Sequence, residues 1–222
     1  LDLELAFGAR GIRVDVFSRL WPGAAAAQTH DWVVEHLHDG TVDELSAQLG
    51  LHLDLTPGAE KPATLKTLDG TMKFSKLSVE YFRPLDLVRN VGGTARFSPT
   101  EITFTATGGD LGKIRATAAT ARFYKLDTHD EQAKIDVSAA GPLASALAIL
   151  DTPPLGYAKE IGLDAARAGG SFSAKLDFAF PLVHNLELKD VDYSAAATLQ
   201  DIALPDIAFD RDLSEGALAL KL

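Results

Sequence analysis

The sequence predicts a mainly β protein, an antiparallel meander with two helical insertions. Three observations carry this. Apolar residues fall on every second position over long stretches, the pattern of a strand with one apolar and one wet face. Short turn sequences separate consecutive alternating runs, so chain neighbours pair as hairpins. Two stretches instead space their apolar residues as helices do, and each is opened by a proline, which suits a first helical turn.

In chain order, Leu1, Leu3 and Leu5 already alternate with Asp2 and Glu4, and Leu218, Leu220 and Leu222 alternate at the other end. Both ends therefore read as boundaries within a longer chain, with an export signal expected upstream. The first insertion is predicted at residues 23–37, after Trp21-Pro22, with Trp32, Val33 and Leu37 as its apolar stripe and Gly40 as a stop. A strand follows in which Leu45, Ala47, Leu49, Leu51, Leu53 and Leu55 alternate with Ser46, Gln48, His52 and Asp54. The next run alternates on even numbers at Met72 and Phe74 and then on odd ones at Leu77, Val79 and Tyr81. A change of phase needs an extra residue, which predicts a β-bulge near Ser75-Lys76. Further strands are predicted at residues 94–97, 101–106, 113–124, 133–139, 170–180, 191–199 and 216–222. Ser98-Pro99-Thr100 and Gly108-Gly109-Asp110 read as the tight turns between successive pairs. The second insertion, near residues 142–163, opens at Gly141-Pro142 with Leu143, Leu147 and Leu150 at helical spacing. It is broken by Pro153-Pro154 and resumes over residues 155–163. No linker rich in Ser, Gly or Pro divides the chain, so residues 1–222 read as one β segment.

Composition narrows the function. With 31 acidic and 21 basic residues the net charge is −10, which repels phosphate backbones and anionic headgroups and argues against nucleic acid and simple electrostatic membrane docking. An apolar content of 46% excludes disorder. The absence of cysteine rules out disulfides, thiolate metal sites and a cysteine nucleophile. No apolar run reaches the roughly 18 residues that a membrane-spanning helix needs.

The candidate chemical groups each have an ordinary reading beside the functional one. His30, His36 and His38 are the densest set of metal-ligating side chains, but zinc-binding histidines on a helix want spacings of three or four. Solvated helix histidines, with no metal, are the expectation. Asp190 with Asp192, and Asp210 with Asp212, would each share a strand face and resemble paired carboxylates; acidic residues on a wet face give the same pattern. Asp127, His129, Asp130 and Glu131 read as a polar loop. The glycines around Gly108 precede no helix and lack the Lys-Ser/Thr of a phosphate loop. Gly-x-Ser-x-Gly is absent as well. No catalytic residue, cofactor or metal is therefore expected, and the chain reads as a non-enzyme.

What remains is the apolar face. Phe172, Ala174, Leu176, Phe178 and Phe180 line one side of one strand, and Tyr193, Ala195, Ala197 and Leu199 line another. Such a face must be covered by protein or by an apolar ligand. A sealed sandwich or helix-covered core is one reading; a curved sheet whose hollow face receives acyl chains is the other.

Three blocks in order resemble the AsmA-like superfamily, and within it the YhdP-like branch. The first is Leu20-Trp21-Pro22, then the run from Thr29 to Leu37, then Gly40-Thr41-Val42; His30 stands where that branch more often has Arg. The second runs from Leu77-Ser78-Val79-Glu80-Tyr81 through Pro84-Leu85 to Val91-Gly92-Gly93-Thr94-Ala95-Arg96-Phe97. The third is Gly141-Pro142-Leu143, Leu150-Asp151, Pro154-Leu155, Gly162-Leu163, Gly169-Gly170 and Pro181-Leu182. The resemblance implies a periplasmic protein anchored in the inner membrane through an upstream segment. Its β units would form a curved, twisted antiparallel sheet with an open hydrophobic groove; a closed β-sandwich is the alternative. It also implies carriage of phospholipid between inner and outer membranes, with adjoining β segments of the same chain as neighbours. On this reading Leu45, Ala47, Leu49, Leu51, Leu53, Phe172, Ala174, Leu176, Phe178, Phe180, Tyr193, Ala195, Ala197 and Leu199 line the groove. An acyl chain fits such a surface, since each methylene hidden from water is worth about 0.8 kcal/mol and sliding gives that back in small steps. A non-catalytic envelope scaffold, using the same sheet for protein partners, is the rival.

Overall fold

The computed structural model describes residues 1–20, 27–56, 63–81, 84–153, 156, 164–183, 186–208 and 211–221. In chain order the elements are β1 (Asp2–Arg13), α1 (Val14–Leu20), α2 (Ala27–His36), β2 (Leu37–Leu53), β3 (Ala63–Val79), β4 (Val88–Phe97), β5 (Glu101–Leu111), β6 (Ile114–Tyr124), β7 (Gln132–Pro142), α3 (Leu143–Leu150), β8 (Gly169–Pro181), β9 (Asp192–Ala208) and β10 (Arg211–Lys221). The ten strands form one antiparallel sheet in strict chain order. β1 and β10 do not pair, so the sheet is open, and the second sheet of a sandwich is absent among the described residues. The mainly β meander expected from alternation is therefore the fold.

Register aligns the apolar positions of successive strands. One row runs Ala9, Leu45, Met72, Ala95, Phe104, Ala121, Ile135, Phe178 and Tyr193 from β1 to β9. The next runs Phe7, Ala47, Gly70, Phe97, Ile102, Phe123, Ala133 and Phe180. The row flanking the first on its other side, on the opposite face, contains Arg10, Glu44, Lys73, Thr94, Thr105, Thr120, Asp136 and Asp177. Paired residues in a sheet share a face, so one face is apolar from β1 to β9 and the other is polar. Arg10 and Lys73 both reach Glu44, at 3.2 and 3.0 Å, and Arg122 reaches Glu101 at 2.6 Å.

The sheet is strongly curled. In a flat sheet, ten residues along β2 and four strand spacings would put Leu37 about 38 Å from Phe123. Instead Trp32, one helical turn and a residue before Leu37, lies 5.0 Å from Phe123, ring centre to ring centre. The helix between Trp32 and Leu37 rises only about 7.5 Å, so the apolar face is the hollow face. Bulges accompany the curl. Lys76 has φ +57° and the β3–β4 register shifts between Phe74 and Leu77, which is the bulge expected near Ser75-Lys76. Further register shifts occur in β2–β3 after Val42 and in β4–β5 between Arg89 and Gly93. Each extra residue bends its strand and increases the twist.

Several boundaries differ from the sequence expectation. The β5–β6 turn lies at Gly112-Lys113, with Gly112 at φ +58°, and Gly108-Gly109 lies inside β5. There a side chain on Gly109 would meet Val88 and Val91, so the glycine serves close approach rather than the turn. The first insertion contributes α2 alone to the described residues, because Trp21, Pro22 and residues 23–26 lie outside them. Gly40, expected as the stop, sits within β2 at φ +69°. Helix α1 was not anticipated: its seven residues make only about two turns, too few for a helical period to read. Helix α3 begins after Pro142 as expected, and the predicted continuation at 155–163 lies outside the described residues except for Gly156.

Candidate functional site: the hollow apolar face

The hollow face is unevenly covered. Along the row through Leu45, exposure is 8% at Leu45, 6% at Met72 and 2% at Ala95. Phe104, Ala121, Ile135 and Phe178 are half-buried, and Tyr193 is 56% exposed. The β2–β4 part is filled: Val14, Val42, Leu45, Met72, Phe74, Leu77, Val91 and Ala95 form one core cluster. A second cluster of Ile102, Phe123, Leu126, Ala133 and Leu182 takes Trp32 of α2 against it. Helix α3 covers one end of β8–β9, where Leu143 and Leu147 pack on Leu199 and Ile202. Between these caps, the middle of β7–β9 carries Ile135, Val137, Leu176, Phe178, Ala174, Ala195 and Ala197, all half-buried and in register across the strands.

The sequence-derived residues are thereby separated into three groups. Leu45 and Ala47 are buried core. Leu49, Leu51 and Leu53 pair with Leu68, Leu65 and Ala63 on β3, on a three-stranded extension beyond the last β3–β4 pair at Gly70–Phe97. Phe172, Ala174, Leu176, Phe178, Phe180, Tyr193, Ala195 and Ala197 share the hollow face of β8–β9, while Leu199 is buried beneath α3. Sequence alternation placed all of them on one face but did not reveal which were covered.

One carboxylate was passed over as part of a polar loop. Glu131, in the β6–β7 connection, is 4% exposed and receives the first amides of α2. Thr29 N–H donates to it at 2.8 Å, Thr29 Oγ1 at 2.6 Å and Gln28 N–H at 3.3 Å. The first amides of a helix have no intrahelical acceptor, and a carboxylate there is further favoured by the helix dipole. A buried acidic residue in a loop has no periodicity, so no local signal marks it.

The remaining polar candidates are dispersed. His30 Nδ1 lies 3.1 Å from Asp31, His36 stacks on Trp32, and His38 Nε2 lies 3.2 Å from Glu80. No group of three metal-ligating side chains converges among the described residues. Asp190 closes a short turn by accepting from Glu187 N–H, whereas Asp192 starts β9, so the two do not form a strand-face pair. Asp210 lies outside the described residues. An open recess of about 750 Å³ beside α1 and α2 contains Arg13, Arg19, His30 and His38. Two of these side chains meet carboxylates, since Arg13 forms a two-point pair with Asp15 and His38 meets Glu80. No described helix is long and apolar enough to cross a membrane. No protein-family model, curated protein or solved structure matches the chain.

Proposed function

We propose that this chain is a segment of a periplasmic bridge-like protein that carries phospholipid between inner and outer membranes. In this reading it is not an enzyme, and its anchor and neighbouring β units lie elsewhere in a longer chain. The observation that carries the reading is the apolar face of the single open sheet, continuous in register from β1 to β9 and half-exposed over β7–β9. Acyl chains gain about 25 cal/mol for each Å² of such surface they cover. The rows across β7–β9 present Ile, Val, Leu, Phe, Tyr and Ala and no charge, so nothing pins a chain at one place. The polar outer face of the sheet meets solvent, and headgroups stay in water at the open mouth of the hollow.

Native mass spectrometry of the segment purified from a diderm bacterium tests this. Reproducible co-purified phospholipid is the expected result. A ligand-free protein that captures no lipid from vesicles favours the scaffold reading instead.

A further inference from the structure

Helix α2 lies across the hollow face like a strap. Its C-terminal end runs without a loop into β2, and Glu80 N–H donates to His36 O at 2.8 Å. Its N-terminal end is taken by Glu131, from the β6–β7 connection on the opposite wall. Between the two ends, Trp32 and Val33 form the underside, whereas Asp31, Val34 and Glu35 face outward. Trp32 rests on Phe123, which in turn makes an edge contact with Phe104, and that ring with Phe74. The helix therefore packs on Phe123, the first of a line of aromatic side chains leading from β6 to β3, in the same face whose β7–β9 part is open.

We propose that α2 is a releasable strap, latched at Thr29 by Glu131, which covers the hollow face at Phe123 until an acyl chain displaces it. The proposal rests on the hollow face being the lipid-bearing surface. Trp32 offers Phe123 only apolar contact, and an acyl chain offers the same, so helix and ligand compete for one surface. The latch is directional and polar, which an acyl chain cannot replace. Opening therefore costs the three hydrogen bonds at Glu131 and returns their donors to water.

The chain has no cysteine, so Thr29→Cys with Glu131→Cys introduces a unique pair that a short reducible bis-thiosulfonate can join. Trp21→Phe in the same chain leaves Trp32 as the sole tryptophan. Two readouts are compared before and after reduction: acrylamide quenching of Trp32, and binding of cis-parinaric acid as the acyl probe. Linked protein is expected to shield Trp32 and bind little probe; reduction is expected to raise both quenching and probe binding severalfold. Equal quenching with equal, measurable probe binding in both states overturns the strap while leaving the lipid reading intact. Trp32 freed by reduction with no probe bound in either state overturns the lipid reading and, with it, the competition proposed here. The single variant Glu131→Gln, checked for native circular dichroism, should move Trp32 quenching in the same direction by less; no movement in the folded variant counts against the latch.

Discussion

Leu176→Asp separates an open apolar face from a sealed core. Leu176 sits at the centre of β8, paired with Val137 on β7 and Ala195 on β9, and all three are half-buried. Complete burial of a leucine side chain is worth about 1.5–3 kcal/mol, so losing a half-buried one costs roughly 1 kcal/mol. The new carboxylate reaches water across the open side and stays charged, which adds little. For a chain of this length about 1 kcal/mol lowers Tm by roughly 2–4 °C. A sealed face gives a different result, because an unpaired buried charge costs several kcal/mol and approaches the whole stability of a domain. Phe123→Ala is the internal standard: Phe123 is 1% exposed beneath Trp32, and removal of a buried phenylalanine costs about 3–5 kcal/mol. The assay is urea denaturation of both variants, followed by native mass spectrometry of co-purified lipid. The expected outcome is a folded Leu176→Asp protein, far more stable than Phe123→Ala, that has lost its lipid. A Leu176→Asp protein as damaged as Phe123→Ala refutes the open face. A folded one with normal lipid content refutes the β7–β9 path.

Other substitutions probe the elements that shape this face. Glu131→Ala strands the buried Thr29 hydroxyl and amide and should cost about 1–3 kcal/mol in urea denaturation; an unchanged midpoint would show that the contact contributes nothing. Gly93→Ala drives a methyl group into the Thr105 carbonyl of the neighbouring strand and should cost about 1–3 kcal/mol by overpacking, visible as a lower Tm. Asp136 and Asp177 face each other across β7 and β8. Like charges directly opposite are unfavourable, so Asp136→Asn should raise Tm at neutral pH, with the gain vanishing in acid. The Glu101 carboxylate is held below its ordinary value of 4.5 chiefly by the hydrogen bond from Arg122. Its contribution is fully present above that ordinary value and is lost as pH falls through the lowered one. Because the pair is solvent-accessible, Glu101→Gln should remove at most about 1 kcal/mol of stability at neutral pH and flatten the acid limb of a Tm–pH profile.

Much of the fold was legible because strand alternation is a local signal of period two. The strands beginning near Leu45, Glu101, Lys113, Ala133 and Gly170 were readable from that alone, and the phase change between Phe74 and Leu77 disclosed the bulge at Lys76 before any pairing was known. Strand ends were less legible. β4 begins at Val88 and β9 extends to Ala208, where polar residues, glycines or bulges interrupt alternation while the ladder continues. The turn at Gly112 was misplaced to Gly108 because glycine marks both turns and close strand contacts, and only the neighbours Val88 and Val91 tell which.

The sequence by itself determined the strand period, the order of hairpins and which side of each strand is apolar. These follow from side-chain chemistry and the pleat, within a few residues of each position. Tertiary structure decided what those residues are exposed to. Leu45 and Leu176 occupy equivalent alternating positions, yet one is buried beneath a curled wall and the other stands half-open. That difference comes from the sum of small bulges and twists over many strands and from a helix brought across the sheet to Glu131, far away in the chain. Curvature and coverage are properties of distant parts meeting, and no local pattern of residues encodes them.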